Sequence, residues 1–468
     1  MSEIMGKHYG KKILMPLLAA ALAFTAVGCG QSKNSSSAAS SSTGPVTIKV
    51  WTNNRHDLAY MNSMVEQFNK ANPNIQVSYQ TQSDNYNQMI TMASSSGQLP
   101  DLMSIAQSDE IPISDLVNAK IVQALNPYFT SSFTKDTDAE KLKYEQLNVI
   151  GSKIYWVPTW LRSGNRLIYN KTLFDQAGIS SVPKTLDELV SDTAKITSVG
   201  GGKAYGISMP GQSSPWSRFF ETAANESGVN YYDYKNGKFD FSGYKPVLEA
   251  ARKMYQAGSF LPGSSTMKVD AMRVQFSAGN IGLYGNASQE VGVLTSQFPA
   301  KMPWGVGVIP TISGKQEGAI PDTVSGGWMM SASSKHAKEA WKVLSYFSSV
   351  DVMTGYCNGG FGLPASSAVS AKVDKTKMGR LADFSLQTYE DVYPTVPNVT
   401  PAGQTYDVQF WNAVITSSTN LDTMITNLNK AYNDALNTAV QEGKTKRLVI
   451  KNYDPLHPSK GTQTYLTK

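Results

Sequence analysis

The segment Lys153-Ile-Tyr-Trp-Val-Pro-Thr-Trp-Leu-Arg-Ser-Gly-Asn-Arg-Leu-Ile-Tyr-Asn-Lys-Thr-Leu-Phe-Asp-Gln-Ala-Gly-Ile-Ser-Ser181 decides how the chain is organised. Residues 154–157 are a β-branched and aromatic run, and Pro158 ends it because proline brings no amide hydrogen to a sheet ladder. A polar stretch with Ser163 and Gly164 follows. Residues 166–169 read as a second strand stopped by Asn170, and residues 172–177 as a helical turn closed by Gly178. Two strands in tandem, with no turn long enough to reverse the chain, predict a passage from one sheet to another, where small loop residues absorb a rotation. An ordinary strand, loop and strand inside one domain would use the same residues; the rest of the sequence decides for the passage.

A chain of 468 residues is too long for one core and fits two domains, or three at most. Hydrophobic content of 41% with 10% aromatics is that of a globular protein. Residues 46–51 alternate as a strand and residues 52–57 form a polar turn. Leu58, Met61, Val65 and Phe68 share one helical face, Asn72-Pro73 stops that run, and residues 75–79 alternate again. A helix over 89–95 and a strand over 102–105 complete a strand, helix, strand, helix, strand series. Such alternation predicts an α/β fold with a mainly parallel sheet covered on both faces, its ligands lying beyond the carboxyl ends of the strands.

Beyond the passage, Thr185 and Glu188 form a capping box that opens a helix with Leu186, Leu189 and Val190 inward. Strands over 205–209, 282–284 and 305–309 alternate with helices over 244–257 and 271–278, which predicts a second body of the same kind. A third set comprises residues 326–330 and a helix over 335–348 with Ala337, Ala340, Trp341, Leu344 and Phe347 inward. Late helices close the chain, the last lined by Leu421, Met424, Leu428, Ala431, Ala435 and Ala439.

Residues 1–28 read as an export signal. Lys7, Lys11 and Lys12 precede an apolar run over 13–27, which is too short to span a bilayer as a retained helix. Ala26-Val27-Gly28-Cys29 resembles the lipobox of bacterial lipoproteins, with Ala26 where leucine is usual, and it implies lipidation of Cys29; two acyl chains suffice for durable anchoring. The Ser-rich residues 31–44 cannot build a core, and the 29–45 segment reads as a tether reaching roughly 50 Å when extended. The globule is expected at the extracellular face of the cell membrane, lipid-anchored without entering the bilayer. Cys357 is then the one remaining cysteine, so no intramolecular disulfide is available. The formal charge of +6 falls to +4 without residues 1–28, which hold three Lys and one Glu. With basic residues dispersed, nucleic acid is not an expected partner.

Catalytic motifs are absent: there is no nucleophile elbow, His-Glu-x-x-His helix, phosphate loop or Cys/His cluster. The histidines beyond the signal are His56, His336 and His457. Instead Trp51, Trp160, Trp216, Tyr284, Trp328 and Trp411 each stand beside Asn, Gln, Arg or Ser near expected strand ends. Sugars need that combination, because a ring covers the apolar face of a pyranose while amides, carboxylates and guanidinium groups pair its hydroxyls. Each tryptophan taken singly fits a core position equally well. Trp156 and Trp341 are read as core, and Trp304 is left open.

Leu167-Ile-Tyr-Asn-Lys-Thr-Leu-Phe174 with Ala177-Gly178, Pro183-Lys-Thr-Leu-Asp-Glu-Leu189, Phe276-Ser-Ala-Gly-Asn280 and Ser334-Lys-His-Ala-Lys-Glu-Ala-Trp341 together resemble extracellular solute-binding proteins of family 1, the lipoprotein receptors of carbohydrate ABC importers. The resemblance implies a type II periplasmic-binding-protein-like fold with ligand between two lobes, 46–158 plus 311–349 and 159–310 plus 350–468. It implies a monomer that binds without catalysis, cofactor or metal and docks on permease subunits. Carried over by position, it assigns ligand contacts to Asn53 and Arg55, to Ser108 and Asp109, and to Trp160 and Arg162 at the passage. Further contacts fall to Trp216, Asn225, Asn286, Gln289, Trp328 and Trp411, with Tyr284 added by its setting. Arg55 and Gln289 depart from maltose-type relatives, which argues against maltose. Arg55 and Arg162 would suit the carboxylate of an acidic sugar, unless they face solvent or a structural Asp. A secreted carbohydrate-active enzyme and a sugar sensor for a membrane kinase are the rival readings.

Overall fold

The computed structural model describes residues 44–82, 85–105, 111–211 and 216–467. Cys29, the Ser-rich tether, Ser108 and Asp109 lie outside the described residues.

Ile48 and Val50 alternate inward and make Val46–Thr52 a half-buried strand. The helix Leu58–Ala71 lays Met61, Val65 and Phe68 against it and returns the chain to Ile75–Thr81, which pairs in parallel with the first strand. Leu102–Ser104 pairs in parallel on the other side, and Trp328–Met330 arrives from far along the chain to run antiparallel beside it. In this four-stranded sheet Leu102, Trp328 and Met330 face one core, shared with Ile48 and Val50. Met103 and Met329 face the other core, with Ile105, Tyr155 and Trp156. The sheet is thus covered on both faces at Leu102–Ser104 and Trp328–Met330, whereas Thr47 and Lys49 on the first strand stay exposed, so the two-sided cover that the α/β pattern predicts is partial.

The second four-stranded sheet holds Trp304–Gly307, Arg166–Asn170, Ile281–Asn286 and Tyr205–Ile207 in that order. Leu167 and Leu283 point into one core with the helices Leu186–Gly200 and Lys245–Gln256, whereas Ile168 and Tyr284 point into another with Phe276 and Trp304. Leu186–Gly200 lies so close to this sheet that a Cβ on Gly206 would sit 2.3 Å from the Thr193 carbonyl oxygen. Its capping box is formed, Thr185 accepting from the Glu188 amide and Glu188 from the Thr185 amide.

The passage is a sheet of its own. Trp160–Arg162 pairs antiparallel with Thr323–Gly326 and with Leu363–Pro364, so three segments far apart in sequence meet in one small three-stranded sheet. Arg166–Asn170 then enters the second sheet, and Asn170 caps the following helix Lys171–Gln176 by accepting from the Leu173 amide.

The structure differs from the sequence reading in three places. Val350–Asn358 and Ser367–Ser370, expected with the second lobe, pack into the first core through Met353, Tyr356, Cys357 and Val369. The helix Leu421–Gln441 turns Tyr432, Leu436 and Val440 inward rather than Ala431, Ala435 and Ala439, because the larger side chains bury more apolar area. The chain ends in a hairpin, Arg447–Lys451 with Thr462–Leu466, that seats Leu448 and Ile450 in the second core.

Candidate functional site

Where Val46–Thr52 ends, Asn53, Asn54, Arg55 and His56 run into a cleft of about 750 Å3. The second body contributes Arg218, Arg273, Ser288 and Gln289, and the crossing segments contribute Arg162 and Phe361. The site thus lies at strand ends of both bodies, as the topology of open α/β sheets requires.

Several of these side chains are held from behind. Ser104 donates its hydroxyl to Asn53 Oδ1 and accepts from the Asn53 amide, both at 3.2 Å. A ring nitrogen of His56 bonds the Phe361 carbonyl and the Tyr356 hydroxyl, each at 3.2 Å, and Tyr356 donates to Asp57 Oδ2 at 2.9 Å. Burial holds His56 below the ordinary imidazole pKa and Arg162 pushes the same way, while Asp57 opposes both. Arg162 lies over the Trp160 ring with its guanidinium carbon 5.7 Å from the centroid. The Ser163 amide donates to Ser288 Oγ at 3.2 Å, tying the passage to the loop of the second body.

Behind that loop is a buried polar network. Asn286 Oδ1 accepts from Arg218 at 3.1 Å and from Gln289 at 2.7 Å, and Asn286 Nδ2 donates to Glu290 at 2.8 Å. Glu290, fully buried, also accepts from Tyr284 at 2.8 Å and pairs with Arg273. Asn286 and Tyr284 therefore position Gln289 and Arg218 from beneath. Gln289 Oε1 is buried without a partner among the described residues and is open to a donor.

Of the residues named from the sequence, the cleft gathers Asn53, Arg55, Arg162 and Gln289. Trp160 and Trp328 border a void of about 10 Å3 with Asn54 and Asp57; Trp328 packs on Phe347 at 5.4 Å. Trp216 is fully buried between Phe220 and Phe410, and Trp411 packs on Phe260 at 5.4 Å. Asn225 is turned to Asn230 and the Val229 carbonyl within the second body. None of the four tryptophans is among the described residues lining the cleft, because large rings gain most by full burial. His56, Arg218, Arg273, Phe361 and Arg380 were missed. Arg218 carried a signal, a lone cation among the rings of 216–220, and His56 stands in the same strand-end turn as Arg55; the others reach the cleft by contacts distant in sequence. Trp304, left open above, is 5% exposed and carries Arg380 over its ring at 3.4 Å.

The bacterial extracellular solute-binding protein family matches residues 52–354. The chain belongs to this family. As a solute-binding protein it binds its solute and does not transform it. A curated Brucella abortus (strain 2308) relative, whose name says only that it binds, is 28% identical over 344 residues, 72% of this chain and 80% of its own. Solved structures share the fold of this solute-binding protein at low identity. Apo RafE from Streptococcus pneumoniae superposes with a TM-score of 0.63 at 18% identity, over 84% of this chain and 99% of its own. MalE from Xanthomonas citri, a sugar-binding protein, gives 0.60 at 19% identity over 85% and 99%. No helix of the described residues is long and apolar enough to cross a membrane. Among them no group of three or more His, Cys, Asp or Glu could hold a metal ion.

Proposed function

We propose that this solute-binding protein captures a carbohydrate, an oligosaccharide by the size of the cleft, and delivers it to the permease of an ABC importer. Lipidated Cys29 and the Ser-rich tether keep it at the outer face of the cell membrane. The observation that carries the reading is the cleft of about 750 Å3, lined from both bodies by amides, hydroxyls and guanidinium groups suited to sugar hydroxyls. Support comes also from proteins of the same fold: RafE has been solved with raffinose and MalE from Bdellovibrio bacteriovorus with maltotriose.

In this reading the bodies act as lobes. The small sheet of Trp160–Arg162, Thr323–Gly326 and Leu363–Pro364 is the hinge. Ligand touching both lobes favours the closed arrangement by its differential affinity, and the closed form docks on the permease. A thermal-shift screen across mono- and oligosaccharides tests it. A true ligand at 100 times its dissociation constant adds about 2.7 kcal/mol of stability and raises the melting temperature. A panel without any shift, or cleavage of the added sugar, would refute the proposal.

A further inference from the structure

No Asp or Glu is among the described residues lining the cleft, whereas Arg55, Arg162, Arg218, Arg273, Lys377 and Arg380 are. Three of these cations have carboxylates of their own. Arg273 is held by Glu290 and Asp270, Arg380 by Asp383 at 3.0 Å, and Lys377 by Asp374 at 3.7 Å. Arg162 and Arg218 differ. Arg162 rests on the face of Trp160, and Arg218 donates to the neutral amide of Asn286. Neither has a carboxylate at ion-pair distance among the described residues. Glu290 lies near them, but its oxygens are committed to Arg273, Tyr284 and Asn286.

We infer that Arg162 and Arg218 form the seat of an anion, and that the ligand of this cleft is an acidic carbohydrate whose carboxylate they bind. The inference rests on the carbohydrate reading above and specifies the class of sugar. Two removed guanidinium groups facing one cleft are costly unless a counter-charge arrives, and the planar fork of Arg matches a carboxylate in bidentate fashion. Burial pushes Arg162 down to about 10 and lowers Arg218 as well, and the Arg273 charge acts on both in the same direction. Both remain protonated at neutral pH. Asn286 fixes Arg218 and Trp160 carries Arg162, so the seat is built before ligand enters. Asn53 and Gln289 then remain for the hydroxyls of the ring.

The test compares uronic-acid tetrasaccharides with the same tetrasaccharides after reduction of each carboxyl to an alcohol, and with sulfated neutral ones, by calorimetric titration at two salt concentrations. The uronate is expected to bind about tenfold more tightly than its reduced counterpart or better, with the advantage shrinking at high salt. Arg162→Gln and Arg218→Gln should each erase most of that advantage, while the unliganded variants keep or raise their melting temperature because an unpaired, partly buried charge has gone. Arginines that serve structure alone would instead lower it. Equal or tighter binding of the reduced sugar would overturn the acidic-ligand inference and leave the carbohydrate reading standing. Preference for the sulfated sugar over the uronate would keep the anion seat but overturn the carboxylate. No binding of any oligosaccharide would overturn both.

Discussion

Glu221 is a carboxylate inside an aromatic core. It accepts from the Tyr244 hydroxyl at 2.5 Å and from Tyr406 at 3.4 Å, and burial pushes its pKa up to about 7 against those two hydrogen bonds, with Asp407 adding to the rise. The native state therefore holds a proton that the unfolded chain releases above its ordinary value of 4.5. Stability from this group is complete below pH 4.5 and is lost as pH rises through about 7, a contribution on the order of 3 kcal/mol. Urea denaturation at pH 5 and pH 8 should show a steeper fall in wild type than in Glu221→Gln; equal falls would contradict the account. Glu226, also raised by burial, acts in the same direction in both proteins. At this scale the sequence was only partly legible. Asn53, Arg55, Arg162 and Gln289 were assigned by the family resemblance and line the cleft, whereas Arg273 enters the site through Glu290, and that contact depends on how a helix packs beside a loop.

Elements with local causes were the easiest to read. The capping box of Thr185 and Glu188 and the apolar face of Leu58–Ala71 depend on residues within one or two turns, and both stand where the pattern put them. The wide helical turn Ser217–Glu221, the terminal hairpin and the docking of Val350–Asn358 on the first core depend on distant partners, which no local period encodes. The three-stranded sheet of the passage belongs between these cases. Its first strand, Trp160–Arg162, lies where the pattern put a polar stretch rather than at 154–157, and its neighbours come from residues 323–326 and 363–364. Trp160 fits there because Gly326 lacks a side chain: a Cβ at that position would lie 2.1 Å from the indole. Gly326→Ala should displace the ring, lower stability by about 1–3 kcal/mol in urea denaturation and weaken ligand binding through Arg162. An unchanged denaturation midpoint would count against this packing.

The whole molecule follows from the connection between its sheets. Trp328–Met330 returns from the far side of the second body to complete the first sheet, so the chain crosses more than once and the crossings meet in one strip beneath a shared cleft. In the proposed reading that arrangement lets the two bodies change their angle while the cores on either side stay packed. The crossing segment announced its second strand, Arg166–Asn170, whereas its first lies at Trp160–Arg162 and not at 154–157. That no tryptophan is among the described residues lining the cleft was not announced, because burial of Trp216 and Trp411 is decided by the core of the second body and a sequence lists rings without saying which way they turn. The most direct measurement is diffraction from crystals grown with the oligosaccharide that raises the melting temperature most. The account predicts glycan between Asn53 and Gln289 with an acidic group on Arg162 and Arg218. Glycan bound elsewhere on the protein, with that cleft empty at saturating ligand, would contradict it.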